Sequence, residues 1–247
     1  MSADPNGTPF RLNRFIAMCK AESRRNADSL IRSGRVEING STVRDLSFRV
    51  VSEDIIRVDG VHISPIKQVY LIMNKPKGLV CAVTDRFSRT VMDILPREIS
   101  EAGVFPAGRL DKESEGLLVL TNDGEMAQRI THPSNRILKT YEVLSDRAVS
   151  RADLESLLQG TLFGPRIVRP SEARILSRDP AGRWLSITIA EGLKREVRLM
   201  AASRGFNVLR LVRRKIGGLE LRDLPSGGFL LIEGDRLLAM IVDGGCV

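Results

Sequence analysis

Two helical patterns lie near the start of the chain. Apolar residues recur on one stripe over residues 10–18, and Thr8-Pro9 supplies an N-cap followed by proline at the first helical position. A second helix is predicted at residues 24–33, where Ser23 is the N-cap and Gly34 ends the helix. The two helices are close enough in sequence to pack as a pair.

Two short hairpins follow the helices. Asn39-Gly40 and Asp59-Gly60 each separate short apolar runs, and this is the strongest local signal for a hairpin. Two helices and two hairpins together predict a small module, and the larger domain begins beyond a stretch without strong pattern. The predicted division is a disordered tail at residues 1–8, the module at 9–63, a linker at 64–69 and the larger domain at 70–247.

The larger domain mixes strand and helix patterns. Apolar runs of strand length and period-two alternation predict strands, and the 3.6-residue period predicts helices. The predicted strands are at residues 70–73, 116–120, 138–143, 184–189, 209–217 and 229–232, and the predicted helices at 125–130, 153–159 and 193–203. A polar loop at 84–89 is expected near the substrate.

The helix predicted at residues 193–203 has two distinct faces. Its apolar positions follow the spacing i, i+4, i+7, i+8 and should be buried. The expected buried residues are Leu193, Val197, Met200 and Ala201. Lys194, Arg195 and Arg198 should lie on another face, where their charges converge.

Positive charge is concentrated in two segments of a chain whose formal net charge is +8. Residues 194–215 contain eight Lys and Arg against Glu196 alone, and residues 11–35 contain seven against Glu22 and Asp28. Two basic clusters predict a polyanionic partner contacted in two places. The alternative is that each cluster is simply a solvated basic face.

Several classes of function are disfavoured by composition. The three cysteines have neither disulfide nor metal-ligand spacing, which is typical of a reduced, cytoplasmic protein. With two histidines, a histidine-based metal site or a Ser-His-Asp triad is not expected. No apolar run approaches the ~18 residues of a membrane span, and we find no phosphate-binding glycine loop.

One stretch, residues 107–124, has the organisation of a reactive site. A loop carrying Arg109 and Asp111 precedes the apolar run 116–120, and a polar turn follows. Such an arrangement holds a side chain on a rigid strand at the mouth of a site. An aspartate in a loop is also a common turn or cap residue, so the local pattern leaves both readings open.

The whole stretch resembles the active-site motif of the RsuA-type ribosomal RNA pseudouridine synthases. That motif reads G-R-L-D-x-x-[ST]-x-G-L-L-x-L-T-N-D-G, and it begins here at Gly108. Four further segments match in the same order. They are N-K-P-x-G at 74–78, K-x-Y at 139–141, E-G-x-x-R-[QE]-[IV]-R-R-M at 191–200 and L-x-R-x-x-I-G at 211–217. One departure is Leu199, where the family commonly has a second arginine.

The front module resembles the alpha-L RNA-binding motif. The similarity is carried by Arg11-Leu12, Ser23-Arg24, Ile31, Gly34-Arg35-Val36 and the two turn dipeptides. In that family the second helix and the following loop face RNA. The resemblance therefore implies RNA contacts from Arg24, Arg25, Arg32 and Arg35. The alternative is that the module is a structural end piece.

The resemblance implies a role for each residue of the motifs. Asp111 would be the nucleophile, Tyr141 would stack on the target base and take part in proton transfer, and Arg198 would keep Asp111 ionised and oriented. No metal or cofactor is implied. The basic residues expected to contact RNA in this domain are Lys75, Lys77, Arg109, Lys139, Lys194, Arg195 and Arg213.

Fold and function follow as expectations. The fold would be α+β, with the two-helix RNA-binding module followed by a catalytic domain whose sheet is mixed, mostly antiparallel and flanked by helices. The function would be isomerisation of uridine to pseudouridine in ribosomal RNA, with 23S favoured over 16S RNA or with an assembly intermediate as substrate. The protein would be a cytoplasmic monomer. The alternatives are a non-catalytic ribosome-assembly protein and a synthase acting on transfer RNA.

Overall fold

The computed structural model describes residues 10–20, 23–51, 53–176 and 180–242. By contact, the chain forms two units: residues up to 69 together with Pro96–Val104, and Tyr70–Leu95 together with residues from 105 onward. The predicted domain at 70–247 was continuous, and no pattern in the sequence indicated that Pro96–Val104 groups with the first unit. The predicted tail at 1–8 lies outside the described residues.

The first unit contains helices and short strands in the predicted order. Its elements are β1 (Phe10–Arg11), α1 (Leu12–Lys20), α2 (Arg24–Arg32), β2 (Val36–Ile38), β3 (Ser41–Thr42), β4 (Arg49–Val50), β5 (Ile56–Val58), β6 (Val61–His62) and α3 (Arg97–Glu101). The predicted start of the first helix is wrong. Phe10–Arg11 pairs antiparallel with β4 as a strand, so the helix begins only at Leu12.

Both predicted hairpins are present in a sheet ordered β3-β2-β5-β6. Asn39 and Gly40 have φ of 50° and 83°, and Asp59 and Gly60 have φ of 53° and 76°. Positive φ at both central residues gives the turn whose twist matches that of the flanking strands. Ser23 caps α2 as predicted, since its side chain accepts a hydrogen bond from the Asn26 N–H.

The second unit is built on one large sheet. Its strands are β7 (Tyr70–Lys75), β8 (Phe105–Ala107), β9 (Glu115–Thr121), β10 (Lys139–Ser145), β11 (Thr161–Phe163), β12 (Arg166–Val168), β13 (Glu172–Ile175), β14 (Trp184–Ile189), β15 (Val208–Ile216), β16 (Leu219–Glu220) and β17 (Phe229–Leu231). Its helices are α4 (Gly124–Thr131), α5 (Arg151–Gln159), α6 (Glu196–Ala202) and α7 (Gly234–Val242).

The main sheet runs in the order β13-β14-β10-β15-β9-β7-β17, with β16 beside β15 and β8 beside β9, while β11 and β12 form a separate hairpin. Among the described strands, the β9–β15 pair is parallel and the other pairs of this sheet are antiparallel. The predicted mixed, mostly antiparallel sheet with flanking helices is therefore confirmed. In the described part of the chain, no helix has the length and apolar character needed to cross a membrane.

Two apolar clusters hold helices against this sheet. One joins β10 and β14 to α5 and α6 through residues such as Val143, Ile187, Leu157 and Met200. The other joins β9 to α4 and α7. The predicted helix at 193–203 is shorter than expected, because Arg195 has a left-handed φ of 56° and α6 begins at Glu196. Leu193 lies before the helix and is 37% exposed, so its predicted burial is wrong.

Gly116 allows the parallel pair to form. It is the register partner of Arg213 in β15 and has a φ of 107°. A Cβ at this position would lie 2.3 Å from the carbonyl oxygen and 2.6 Å from the amide nitrogen of Arg213. Because those atoms belong to the backbone, they cannot move aside as a flexible side chain would. Glycine is therefore required both by conformation and by space.

We expect Gly116→Ala to destabilise the protein by about 2 kcal/mol or more, because strain and the backbone contact act together. The measurement is the free energy of unfolding in denaturant. Gly124→Ala is the matched control, since Gly124 opens α4 with ordinary φ and nothing lies within 4 Å of an added Cβ. Equal stability of the two variants would contradict the prediction.

Candidate active site

Asp111 lies in a loop between β8 and β9 that backbone N–H groups hold on both sides of it. On one side, the Leu110 N–H donates to Sγ of Cys81 at 3.3 Å, and Leu110 itself is buried. On the other, the Ser114 N–H donates to the Asp111 carbonyl at 3.0 Å and closes a turn. Asp111 is half-buried between these anchors. Among the described residues, its carboxylate has no hydrogen-bonding or ion-pairing partner closer than 4 Å.

The two neighbouring carboxylates are engaged elsewhere. Glu113 forms an ion pair with Lys77, with 3.2 Å between Oε2 and Nζ. Glu115 forms a two-bond pair with Arg210 at 2.8 and 2.9 Å. A retaining glycosidase would need a second carboxyl group ~5–5.5 Å from the nucleophile. Because Glu113 and Glu115 are paired with basic side chains, neither is free to act as that second carboxyl group.

Lys75 was predicted to contact RNA, and the structure contradicts this. Its side chain is fully buried, and Nζ donates to the carbonyl of Ser114 at 2.8 Å, of Pro76 at 2.9 Å and of Lys112 at 3.4 Å. Burial lowers the pKa of the ammonium group. Lys75 ends β7, an interior strand of the sheet. Because Nζ binds the carbonyl groups of Lys112 and Ser114, the side chain anchors the Asp111 loop to this strand.

Arg213 was also predicted to contact RNA, and it too is buried, at 4% exposure. Its Nε donates to the Leu117 carbonyl at 2.7 Å and its Nη1 to the Arg109 carbonyl at 3.3 Å. Its Nη2 is buried without a hydrogen-bond partner in the described structure. Pairing with β9 places β15 in the middle of the sheet, so this guanidinium joins β9 to the Asp111 loop.

Tyr141 lies in β10 beside an irregularity of the ladder. Thr140 pairs with Lys215 but Tyr141 pairs with Arg213, so one residue of β15 bulges between them. Bulges of this kind re-aim side chains near sites. Tyr141 is 8% exposed and belongs to the same apolar cluster as Leu110, Val197 and Met200. This cluster brings β10, α6 and the Asp111 loop together.

Arg198 projects from α6 next to this cluster. Its Nη1 donates to the Val208 carbonyl at 2.9 Å. Burial lowers the pKa of its guanidinium, and Arg195 lowers it further. Asp111 and Glu113 oppose that shift, so Arg198 and Asp111 are close enough for their charges to interact. In the described structure no hydrogen bond or ion pair joins the two side chains directly, and one arm of the guanidinium binds the Val208 carbonyl.

Three more ionisable groups lie near these residues. Burial lowers the pKa of Lys139, and the charge of Arg213 lowers it further. Burial raises the pKa of Glu196, whose Oε2 accepts from the Leu193 N–H while Oε1 has no partner among the described residues. Burial also raises the pKa of the Cys81 thiol. Cys81 was missed in the sequence because nothing in its spacing marked it. In the described residues, no three potential ligands are grouped to hold a metal ion.

The other residues predicted to contact RNA are exposed, except Lys139, which is half-buried. In the second unit these are Lys77, Arg109, Lys194 and Arg195. In the first unit, Arg24, Arg25 and Arg32 are exposed on α2. Arg35 is exposed as well, but its guanidinium forms a two-bond ion pair with Asp59 at 2.6 and 2.7 Å. Its charge is thus already partly neutralised.

Comparison with known proteins decides the family. The model of the RNA pseudouridylate synthase family matches residues 69–203, which contain Asp111, Tyr141 and Arg198. The chain belongs to this family. The S4 domain model matches residues 10–56, so the front module is an S4 domain. The predicted resemblance is confirmed, and the protein is an enzyme that converts uridine in RNA to pseudouridine.

Relatives of this family match over most of their length. An uncharacterised RNA pseudouridine synthase of Aquifex aeolicus is 38% identical over 223 residues, spanning 88% of each chain. The ribosomal large subunit pseudouridine synthase B of Bacillus subtilis is 35% identical over 219 residues, spanning 88% of this chain and 89% of the relative. A crystal structure of a pseudouridylate synthase superposes with a TM-score of 0.68 at 30% identity, covering 94% of this chain and all of that one.

Replacing Lys75 tests whether its buried ammonium group holds the Asp111 loop in place. We expect Lys75→Met to destabilise the protein by about 3 kcal/mol or more, because the Ser114 and Pro76 carbonyls would lose a charged donor. Turnover should fall as well, since the Asp111 loop loses its anchor. Lys77→Met is the control: Lys77 is 59% exposed, and its ion pair with Glu113 contributes little. Unfolding midpoints that match for the two variants would refute the anchoring role.

Proposed function

We propose that this enzyme isomerises one or a few defined uridines in ribosomal RNA, with Asp111 as the nucleophile. The observation that carries the proposal is the unpaired, half-buried carboxylate of Asp111 on a loop anchored by Lys75, Cys81 and Arg213. A carboxylate held in this way is available to attack, because no neighbouring cation has to release it first. The similarity to a large-subunit enzyme of Bacillus subtilis favours 23S over 16S RNA.

The proposed chemistry is an exchange of bonds within one nucleotide. The Asp111 carboxylate attacks the sugar or the base, and the N1–C1′ bond breaks. The detached uracil turns and rejoins the sugar through C5, and the bond between Asp111 and the nucleotide breaks, so the carboxylate is regenerated. The proton lost from C5 is balanced by one gained at N1, so the product has the same atoms as the substrate. Neither oxidation nor a second substrate enters this balance.

Tyr141 and Arg198 would act around that nucleotide. The target uridine must leave its stack, at a cost of a few kcal/mol. Stacking on Tyr141, which lies in the apolar cluster beside the Asp111 loop, would offset part of this cost. In the proposal Tyr141 also takes part in proton transfer. The free arm of Arg198 would orient the carboxylate once substrate closes the remaining distance.

The proposed substrate is tested by mapping pseudouridines in 23S, 16S and transfer RNA from cells with and without the gene. We expect a defined ribosomal site, in 23S RNA, to lose its pseudouridine and to regain it when the wild-type gene is restored. A loss confined to transfer RNA would favour the alternative substrate. The proposal includes a monomeric protein acting in the cytoplasm, on free RNA or on a partly assembled particle.

The S4 domain should supply affinity rather than chemistry. Replacing the exposed Arg24, Arg25 and Arg32 by Gln in the full chain should lower the slope of log affinity against log salt by about 2–3, because each lost phosphate contact removes ~0.7–0.9. Single-turnover rates at saturating RNA should change little. Arg35→Gln should alter the slope least, since Asp59 already binds that guanidinium. An unchanged slope in the triple variant would make the module a structural end piece.

A further inference from the structure

Phe87 is an aromatic side chain that the fold leaves in solvent. It is 95% exposed, the highest value among the exposed large apolar residues of the described structure. Exposed apolar residues scattered singly are common and need no explanation. Phe87 differs in its position, because the loop that carries it is hydrogen-bonded to the Asp111 loop.

The backbone of this loop is held in a defined conformation. Oδ1 of Asp85 accepts from the N–H groups of Phe87 at 2.9 Å and of Ser88 at 2.8 Å. The Val80 N–H donates to the Arg89 carbonyl at 3.0 Å and closes the base of the loop. Phe87 is therefore presented from an ordered turn, which lowers the entropic cost of using it in binding.

A side-chain contact joins this loop to the catalytic one. Nζ of Lys112 donates to Oγ of Ser88 at 3.1 Å. Lys112 follows Asp111 in the chain, and Ser88 follows Phe87. The loop that presents the exposed ring is thus in contact with the residue next to the nucleophile, and the ring is not part of the buried cluster that contains Tyr141.

The charges around Phe87 indicate what it binds. Arg86, Arg89 and Lys112 are exposed, and the single acid of the loop, Asp85, is occupied by backbone N–H groups. Exposed cations around an aromatic ring match single-stranded nucleic acid, whose phosphates bind cations while its bases stack on rings. A protein-docking surface would need a contiguous apolar patch, and in this loop only Val83 accompanies Phe87.

We propose that Phe87 stacks on an unpaired base of the substrate RNA beside the target uridine. Extrusion of the uridine toward Asp111 breaks its stacking with its neighbours. The Phe87 ring offers a replacement surface to a neighbouring base, while Arg86 and Arg89 bind the flanking phosphates. Phe87 then helps to determine which RNA segments are bound well. The inference rests on the family's activity on RNA. The proposed function is used only to choose the RNA for the experiment.

The test compares Phe87→Leu, Phe87→Ala and Phe87→Trp in the full chain. The probe is an unmodified large-subunit ribosomal RNA transcript, and the readouts are Kd, KM and kcat. We expect the Leu and Ala variants to raise Kd and KM by roughly tenfold to a hundredfold, with kcat nearly unchanged. Phe87→Trp should bind as well as the wild type. Its fluorescence should be quenched by RNA, after subtraction of the Trp184 signal measured in the wild type.

Leu231→Ala is the matched control. Leu231 is 63% exposed and pairs with Leu71, toward the end of β7 away from Lys75. The proposal would be overturned if Phe87→Leu had the Kd and KM of the wild type. Weak binding by Phe87→Ala alone would then indicate an apolar contact rather than stacking. Kd is measured without turnover. If the wild-type enzyme bound the transcript without modifying it, the proposed function would be contradicted. The Kd values of the variants would still test the role of Phe87.

Discussion

Asp111→Asn should abolish pseudouridine formation while leaving RNA affinity nearly unchanged. The amide keeps the shape of the side chain but is a far weaker nucleophile than the carboxylate, so we expect turnover to fall by about 10⁴-fold or more. The loop itself should stay in place, since the anchors from Ser114 and Cys81 engage its backbone rather than the carboxylate. Single-turnover assays on ribosomal RNA and Kd measurements separate the two effects.

Glu113→Gln is the matched control for this variant. Glu113 lies two residues from Asp111, and its carboxylate is paired with exposed Lys77. The same chemical change at this position should therefore leave turnover within a few-fold of the wild type. Wild-type-like turnover by Asp111→Asn, or a comparable loss in Glu113→Gln, would show that the wrong carboxylate has been assigned.

Arg198→Lys should reduce turnover by about a hundredfold or more at nearly constant RNA affinity. The planar guanidinium of Arg198 donates to the Val208 carbonyl with one arm and leaves its other N–H groups free to approach Asp111. A lysine carries the same charge but has a single point of contact, so it cannot serve both groups. The variant thus separates loss of geometry from loss of charge.

Arg195→Lys provides the comparison. Arg195 is exposed and occupies the left-handed position just before α6, where its side chain makes no cap hydrogen bond. We expect its replacement to change both kcat and the salt dependence of binding little, because lysine keeps the exposed positive charge. If Arg195→Lys were the more damaging of the two, the catalytic arginine would be the one at the helix entrance.

Much of the fold could be predicted because periodicity and turn chemistry agree locally. The strand at residues 184–189 has the observed bounds, and both hairpins follow from Asn-Gly and Asp-Gly. Short strands such as β11 and β12 were missed because three residues are too few to show a period. The start of α6 was misplaced because the spacing of apolar residues does not reveal the left-handed backbone conformation of Arg195.

The site was only partly predictable, because the burial of a basic side chain depends on the position of its strand in the sheet. Lys75 and Arg213 look like surface charges in the sequence, yet both lie in the sheet interior and bind carbonyl groups. Cys81 belongs to no motif, and its sulfur accepts a hydrogen bond from the loop. Asp111 could be singled out because a recognisable motif surrounds it, and its lack of a partner became visible only in three dimensions.

The parallel pairing of β9 with β15 also sets an order of assembly during synthesis. The hydrogen bond from Arg213 to the Arg109 carbonyl spans 104 residues, so the Asp111 loop cannot acquire this anchor until most of the chain has left the ribosome. Pairings of such long range close late, because the loop entropy is lost before the contact forms. The nascent chain therefore exposes its S4 domain well before it has a working active site.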